Sequence, residues 1–270
     1  MVAQGIGYIQ GSQITCRCSK WGITFRNGHA SRHRLYHELA ELYDRFYSRI
    51  FDYNKFYSLI EPELEKRNAS TILEVACGTG RLMRILEENG YIVTGLDLSG
   101  DMLAIARSRV KGDLTQQDMR RIKLDKTFDA LICLGAGFTY MQRDDDVENA
   151  LNSFYRHLND DGVLIFDNFD AERFNHDRFG KWEEETQKFD DLTITRRTRS
   201  SDWDFSSDTW TVDWVWRIED KDGVKEAHDS QRLKAFRYTY LREKLVDAGF
   251  TEIEVLREKR LLIKADKGGG

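Results

Sequence analysis

The 270-residue sequence predicts an α/β fold of the doubly wound type, in which helices cover both faces of a parallel sheet. Three observations support this prediction. Apolar strand-like runs alternate with helical stretches over residues 71–170, which is typical of buried parallel strands. The first run ends in a glycine turn at Gly78 and Gly80, where a doubly wound sheet binds its ligand. Strand-like runs with one polar face follow, which indicates an antiparallel insertion.

The chain before the first strand is predicted to hold a loose arm and two helices. Residues 1–30 show no apolar period and are rich in glycine and polar residues, so we expect an arm without regular structure. From residue 31 onward apolar side chains recur at three- and four-residue spacing, which predicts a helix. A second helix is expected over residues 53–66, with a kink or break at Pro62, the only proline of the chain.

Strands and helices then alternate up to the insertion. The expected strands are residues 71–77, 91–98, 112–118, 128–135 and 162–170, and the expected helices are residues 81–90, 101–110 and 144–158. Ser99 is the expected N-cap of the second of these helices, because its hydroxyl can accept a hydrogen bond from the first turn. After the insertion, a helix over residues 238–250 and two strands around a turn in residues 251–265 complete the sheet.

Composition and charge exclude some classes of function. The formal net charge is 41 − 46 = −5, and duplex-binding proteins generally present a basic face, so no nucleic-acid partner is expected. No apolar run approaches the roughly 18 residues that span a bilayer, and the N-terminus lacks the pattern of a signal peptide. The four cysteines are expected to be reduced thiols in the cytoplasm. Cys16 and Cys18 lack further ligands at metal-binding spacing, so no metal is expected.

The glycine turn and two downstream acids suit a nucleoside. Position 83 is Met83, where a dinucleotide fold favours a third glycine, and no P-loop motif is present. Asp97 lies 97 − 78 = 19 residues after Gly78 and ends the second strand, where a carboxylate accepts hydrogen bonds from ribose hydroxyls. Asp118 follows the third strand and can accept an amino proton of an adenine, while Met119 can cover the ring.

Four segments, LEVACGTGRL, GLDLSGDMLAIAR, GDLTQQDMR and FDALICLG, together resemble the motifs of class I S-adenosylmethionine-dependent methyltransferases. The resemblance extends from about Leu35 to the C-terminus. It is closest to small-molecule N-methyltransferases, namely the nucleotide-linked aminosugar N,N-dimethyltransferases and glycine N-methyltransferase, which also carry a late antiparallel insertion. It implies a Rossmann-like sheet of seven strands, N-terminal helices that form a lid, and S-adenosyl-L-methionine as cofactor.

The resemblance also implies roles for individual residues in binding the donor. Glu74 would orient the glycine loop or, through water, the methionyl amine, and Leu134 would offer its carbonyl to the donor's ammonium. Close approach of the backbone to the methionyl group is implied for Ala76, Cys77, Gly78 and Gly80. Contacts with the adenosyl group are implied for Asp97, Leu98, Met102, Asp118 and Met119. Closure over the donor is implied for Tyr36, Tyr43 and Tyr53.

Two residues are predicted to act near the acceptor. Tyr140 occupies the position of a histidine near the acceptor amine in some aminosugar enzymes, and the alternative is that it only packs under the helix that follows. Arg260 matches a C-terminal arginine near the acceptor pocket of those enzymes. Methyl transfer from a sulfonium depends on alignment and exclusion of water, and aromatic faces suit the positive charge. The tryptophans of the insertion are either a platform for the substrate or the apolar face of the sheet.

The sequence therefore predicts a methyltransferase that transfers a methyl group in line to a small-molecule acceptor, with an amine favoured. Residues 31–170 and 234–270 are expected to form the donor-binding domain, and residues 171–233 part of the acceptor site or a subunit contact of a homodimer. The alternatives are methylation of oxygen or carbon, and a donor-binding module without turnover. A nicotinamide-dependent dehydrogenase is the alternative at the level of the fold, and Met83 disfavours it.

Overall fold

The computed structural model of the chain describes residues 16–17, 24–25, 34–257 and 260–268. The expected arm of residues 1–30 lies outside the described residues, as does Cys18, except for a short antiparallel pair formed by β1 (Cys16–Arg17) and β2 (Thr24–Phe25). A 3-10 turn (Arg34–Tyr36) precedes helices α1 (Ala40–Ile50) and α2 (Tyr53–Lys66).

A seven-stranded sheet forms the centre of the molecule, with the strand order β12-β13-β7-β6-β3-β4-β5. Strands β3 to β7 pair in parallel, whereas β13 pairs antiparallel with both β7 and β12. The strands are β3 (Thr71–Val75), β4 (Ile92–Asp97), β5 (Leu114–Gln116), β6 (Phe128–Cys133), β7 (Leu158–Asn168), β12 (Phe250–Arg257) and β13 (Leu261–Lys267). The carboxyl ends of the parallel strands meet at one edge, which is where such sheets bind ligands.

Helices cover both faces of this sheet. The connecting helices are α3 (Arg81–Glu88), α4 (Gly100–Ala106), α5 (Asp144–Arg156) and α6 (Tyr238–Asp247). Apolar residues of α2 and α3 pack on one face, and those of α5 and α6 on the other. Successive side chains of a strand point to opposite faces, so strands buried on both sides read as continuous apolar runs. The predicted doubly wound α/β fold is confirmed.

A second sheet of four antiparallel strands follows β7, in the order β11-β10-β9-β8. Its strands are β8 (Glu183–Lys188), β9 (Leu192–Asp204), β10 (Thr209–Asp220) and β11 (Gly223–Lys234). Trp210, Trp214 and Trp216 all lie on the buried face, which packs against α1. These tryptophans are therefore the apolar face of the sheet and not an open platform.

Two helical predictions need correction. Regular helix begins at Ala40 and not at residue 31, because the chain first forms the 3-10 turn at Arg34–Tyr36. Helix α2 continues through Pro62, so of the predicted kink or break the break is wrong, and the side chains of Ile60 and Leu64 on either side are buried in the core. No helix in the described part of the chain has the length and apolar character needed to cross a membrane.

Candidate donor and acceptor site

A cavity of about 540 Å³ opens at the carboxyl ends of β3 to β6. The structure brings all the predicted site residues together around it except Gly80 and Arg260. Those that line it are Tyr36, Tyr43, Tyr53, Glu74, Ala76, Cys77, Gly78, Asp97, Leu98, Met102, Asp118, Met119, Leu134 and Tyr140. The parallel strand order explains this convergence, because residues that follow neighbouring strands end at the same edge.

The glycine turn after β3 exposes backbone to the cavity. Gly78 has a φ of +54°, and a Cβ built there would meet no heavy atom within 4 Å. Its N–H donates a hydrogen bond of 2.8 Å to Asp97 Oδ2. Ala76 also adopts a positive φ, +56°, which costs a non-glycine residue free energy and is typical of functional turns.

Gly80 has a different environment from the one predicted. It does not line the cavity, and a Cβ there would lie 3.0 Å from Val110 and 3.1 Å from Ala106. Gly80 is the N-cap of helix α3 and has a φ of +74°. The absence of a side chain at Gly80 therefore permits close packing of the loop against the segment after α4, and does not open the backbone to a ligand.

Asp97 and Asp118 lie at the ends of adjacent strands, β4 and β5. The Asp97 carboxylate accepts two backbone hydrogen bonds of 2.8 Å, from Gly78 and Ser99. Burial raises the pKa of Asp97, and these hydrogen bonds oppose that rise. Asp118 accepts a two-nitrogen contact from Arg120 whose shortest distance is 2.6 Å, and this contact lowers the pKa of Asp118. Each ionised carboxylate has free lone pairs for a ligand's hydroxyl or amino groups.

Glu74 places an unpaired oxygen at the base of the cavity. The residue is 5% exposed, and its Oε2 has no hydrogen-bond partner among the described residues. Burial raises the pKa of Glu74 to about 8, and the nearby charge of Asp97 adds to the rise. A buried carboxylate without a partner is costly, so this position suits a cationic group of a ligand.

Tyrosines from the N-terminal segment close the cavity above the glycine turn. The hydroxyl oxygens of Tyr36 and Tyr140 lie 2.7 Å apart, and the ring centroids of Tyr36 and Tyr43 are 5.6 Å apart. Burial raises the pKa of all three tyrosines, so they stay protonated at neutral pH. Tyr140 lines the cavity, and its hydroxyl shares a hydrogen bond with that of Tyr36, so its contacts extend beyond packing under α5.

Asp44 fastens helix α1 to the glycine turn, a contact that the sequence did not reveal. Its carboxylate accepts hydrogen bonds from Thr79 Oγ1 at 2.6 Å, from Arg81 at 2.8 Å and from Arg109 at 2.9 Å. Burial opposes ionisation here, but the hydrogen bonds from Arg109 and Arg81 dominate and lower the pKa of Asp44. The tyrosines of the N-terminal segment are therefore held over the cavity by a charged contact.

Arg260 lies at the turn before β13 and outside the main cavity. Its Nε is 2.7 Å from Asp167 Oδ2, and it lines a separate cavity of about 260 Å³ against the insertion. Asp167 is buried, and its Oδ1 accepts a 2.8 Å hydrogen bond from the N–H of Ala136. Arg260 therefore reaches the main cavity only indirectly, through Asp167 and the loop after β6.

Further residues line the main cavity that were not predicted to belong to the site. Six of them are Phe51, Phe56, Ser99, Arg120, Gly135 and Gly137. Ser99, Arg120, Gly135 and Gly137 lie within two residues of predicted strand ends, and that position was the available signal. Phe51 and Phe56 carried no signal, because their place depends on how the N-terminal helices pack. The described part of the chain contains no cluster of three or more His, Cys, Asp or Glu residues placed to hold a metal ion.

Comparisons with known proteins agree with this geometry. Residues 72–162 match a family model described as a methyltransferase domain. The putative methyltransferase YqeM of Bacillus subtilis is 30% identical over 256 residues, which cover 86% of this chain and 97% of that protein. The dTDP-3-amino-3,6-dideoxy-alpha-D-glucopyranose N,N-dimethyltransferase of Streptomyces fradiae is 35% identical over 132 residues, covering 47% of this chain and 52% of that protein. The SAM-bound structure of CalS10, an amino pentose methyltransferase from Micromonospora echinaspora, has a TM-score of 0.73 at 25% identity and covers 84% of this chain and 96% of that one.

Proposed function

We propose that the chain, which belongs to the S-adenosylmethionine-dependent methyltransferases, transfers a methyl group to the nitrogen of a small-molecule amine. The observation that carries the proposal is the pair of hydroxyls, Tyr36 and Tyr140, at the cavity. Their pKa values are raised, so both phenols stay protonated at neutral pH and are not available to remove the proton of an alcohol. A neutral amine needs no base for its attack, because it uses its own lone pair and releases its proton to water afterwards, and the two hydroxyls can orient it.

The residues around the cavity fit S-adenosylmethionine, which supplies its methyl group as a sulfonium. We assign the unpaired carboxylate of Glu74 to the donor's ammonium, because both groups then gain a partner. Asp97 is assigned to the ribose hydroxyls and Asp118 to the adenine amino group. The faces of Tyr36 and Tyr43 attract a cation through their ring electrons. A layer of these tyrosines over the bound donor would exclude water and align the reactants, and such alignment contributes on the order of 7–11 kcal/mol in favourable cases.

The predicted domains follow from this assignment. Residues 31–170 and 234–270 would bind the donor, and residues 171–233 would form one wall of the acceptor site. The support is that β11 contacts the loop after Tyr140 from within this range: Gln142, which lines the cavity, donates a hydrogen bond from its Nε2 to the Arg232 carbonyl. Arg260 would act on the acceptor side through Asp167. Two of the proteins named above are an aminosugar N,N-dimethyltransferase and an amino pentose methyltransferase, which makes an aminosugar the first acceptor to test.

Other features of the sequence analysis stay predictions. They are a cytoplasmic location, the lack of a nucleic-acid or membrane partner, and a homodimer formed through the antiparallel sheet. Sedimentation of the purified protein over a range of concentrations measures the last of these.

The test combines donor binding with a panel of acceptors. Calorimetry measures binding of S-adenosylmethionine, and mass spectrometry then measures methyl gain on free aminosugars, nucleotide-linked aminosugars, amino acids and matched hydroxyl compounds. Methylation of an amine, and none of the matched alcohol, is the expected result. Product on oxygen or carbon alone overturns the amine acceptor. Tight donor binding with no product from a cell extract of small molecules would identify a binding module without turnover.

A further inference from the structure

The two tyrosines that meet in the cavity are both attached to strand β11 of the insertion. Next to Tyr36, the backbone N–H of Leu35 donates a 3.3 Å hydrogen bond to Asp229 Oδ2. Next to Tyr140, Thr139 bonds to the carbonyl of Lys234. A strand that lies far from both tyrosines in sequence therefore contacts the residue next to each of them. Of these two contacts, only that of Asp229 is made by a side chain of β11 and can be removed by substitution there.

Asp229 is a carboxylate on the buried face of the antiparallel sheet. It is 7% exposed and pairs in register with the buried Trp214. A buried carboxylate must be hydrogen bonded, and Asp229 accepts from the Leu35 N–H and, at 2.9 Å, from Gln231 Nε2. Burial raises the pKa of Tyr140, and the charge of Asp229 adds to that rise, which places the carboxylate in the surroundings of the tyrosine pair.

The amide of Leu35 needs this partner. Leu35 is 1% exposed and lies in the 3-10 turn Arg34–Tyr36, whose first N–H groups have no acceptor inside the turn. A buried N–H without an acceptor is costly, so the acceptor oxygen of Asp229 stabilises the turn in this position. The next residue is Tyr36, whose own carbonyl accepts a hydrogen bond from Ser99 Oγ. The Tyr36 backbone is thus fixed between the insertion on one side and the donor-binding loop on the other.

We propose that Asp229 is a positioning residue for the acceptor: by holding Leu35, its carboxylate sets the Tyr36 hydroxyl against that of Tyr140, and this pair orients the acceptor's nucleophilic atom. The inference rests on the proposed methyl transfer to an acceptor beside Tyr140. It adds that the insertion acts in catalysis through one buried carboxylate, and not only as a wall. Asp229 itself does not line the cavity, so it acts through the tyrosines.

Three variants separate positioning from folding. Asp229→Ala removes the acceptor of the Leu35 N–H, whereas Asp229→Asn keeps an accepting oxygen and removes only the charge. Asp213→Asn is the matched control, because Asp213 lies on β10 and pairs with Arg199 and Ser230 outside the cavity. Kinetics use the acceptor that the panel identifies. We expect Asp229→Ala to lower kcat/KM for the acceptor by up to about 100-fold, since a misplacement near 1 Å has that effect. Asp229→Asn should recover most of the loss.

A double-mutant cycle with Tyr140→Phe tests whether Asp229 acts through the tyrosine pair. If it does, Asp229→Ala lowers kcat/KM little further once the Tyr140 hydroxyl is absent, since residues that act as one unit are not additive. Fully additive losses would overturn the proposal, because a purely structural role predicts them. A loss that Asp229→Asn does not recover also overturns it.

Amide hydrogen exchange gives a readout that needs no acceptor. The amide of Leu35 should exchange faster in Asp229→Ala than in the wild type, and at the wild-type rate in Asp229→Asn and Asp213→Asn. Unchanged protection in Asp229→Ala overturns the positioning role even when amine methylation stands. Conversely, a panel that yields only oxygen methylation contradicts the proposed amine acceptor and does not change the exchange result. Failure of the proposed function and failure of the role of Asp229 are therefore distinguishable.

Discussion

Asp97 is the last residue of β4. One of its carboxylate oxygens accepts from Gly78 in the glycine turn, and the other accepts from Ser99 at the start of α4. Asp97→Ala should weaken binding of S-adenosylmethionine roughly 10- to 100-fold. Hydrogen bonds to a charged group contribute about 1.5–3 kcal/mol, and each 1.4 kcal/mol is a factor of ten in affinity. Calorimetric titration measures the change. Asp113→Asn serves as control, because its carboxylate is exposed and pairs only with Lys126 among its described contacts. Equal affinities of the Asp97 variant and wild type would contradict the assignment.

Glu74 should make donor binding depend on pH. Its pKa is raised to about 8, so it is mostly protonated at neutral pH without ligand, whereas a cationic ammonium binds the ionised form. Affinity should therefore rise with pH, about tenfold per unit between pH 6 and 7.5, because each binding event then releases one proton. Above about pH 8 the gain ends, since Glu74 is ionised and the donor's own amine begins to lose its charge.

Titrations in buffers of different ionisation enthalpy count the released protons. Glu74→Gln should bind the donor more weakly and without this pH dependence. The stability of the free protein has the opposite dependence on pH. A carboxyl whose pKa is raised on folding stabilises the folded state fully at pH values below its pKa in the unfolded chain. That contribution is lost as pH rises toward 8, the pKa of Glu74 in the folded protein. A wild-type affinity that stays flat from pH 6 to 7.5 would refute the role given to Glu74.

Sequence reasoning reached some of these residues and missed others for a physical reason. Asp97 and Asp118 could be predicted because parallel strands carry their next residues to one edge. Asp44 and Asp229 could not, because the partners that give them their roles, Thr79 and Leu35, are 35 or more positions away and meet them only when helices and sheets pack. Gly80 had the residue type of a ligand turn, but its missing side chain serves packing against Ala106.

At the scale of elements, helix α1 depends on Asp44 for its attachment to the donor loop. Asp44→Ala leaves Arg81 and Arg109 half-buried without their carboxylate. We expect the helix to detach more often, so amide exchange over Ala40–Ile50 should quicken and donor affinity should fall by roughly tenfold or more, since breaking a charge-assisted contact costs about 1.5–3 kcal/mol. Glu41→Ala on the same helix is the control, because Glu41 is exposed. Unaltered exchange in α1 would show that apolar packing alone holds it.

Strands were more predictable than the N-terminal helices. Strand β3 begins at the predicted residue 71, and Ser99 caps α4 by accepting from the N–H of Met102 at 3.2 Å, as predicted. The apolar period from residue 31 suggested helix too early, because Leu35 is buried through the 3-10 turn and its contact with β11 rather than through a helical face. Local periodicity reports that a residue is buried, but tertiary contacts decide which backbone conformation buries it.

At the scale of the whole molecule, the N-terminal helix and the insertion share one hydrophobic core. Leu42, Phe46 and Tyr47 of α1 pack with Trp210 and Trp216 of the insertion. The seven-stranded sheet has its own two clusters, one on each face. The layer that covers the donor cavity is thus supported mainly by the part of the chain assigned to the acceptor. We therefore expect the stability of the antiparallel sheet to determine how well the N-terminal helices cover the donor.

Trp216→Ala tests this coupling. Trp216 is fully buried, and its ring centroid lies 5.1 Å from that of Phe46 and 6.3 Å from that of Tyr47. Truncating a buried tryptophan costs about 3–5 kcal/mol. If lid and insertion form one cooperative unit, amide exchange should quicken together in α1 and β8 to β11 while β3 to β7 stay protected, and donor affinity should fall although Trp216 does not line the cavity.

Phe154→Ala provides the comparison, because Phe154 is equally buried but belongs to the cluster between α5 and the seven-stranded sheet. It should lower stability without a selective loss of protection in α1. Donor at 100 times its dissociation constant stabilises the folded, donor-binding state by about 2.7 kcal/mol. It should therefore restore protection in α1 and, through the shared core, in the antiparallel sheet. Restored protection in α1 alone would mean that α1 and the antiparallel sheet open independently. The proposed coupling between them would then be wrong.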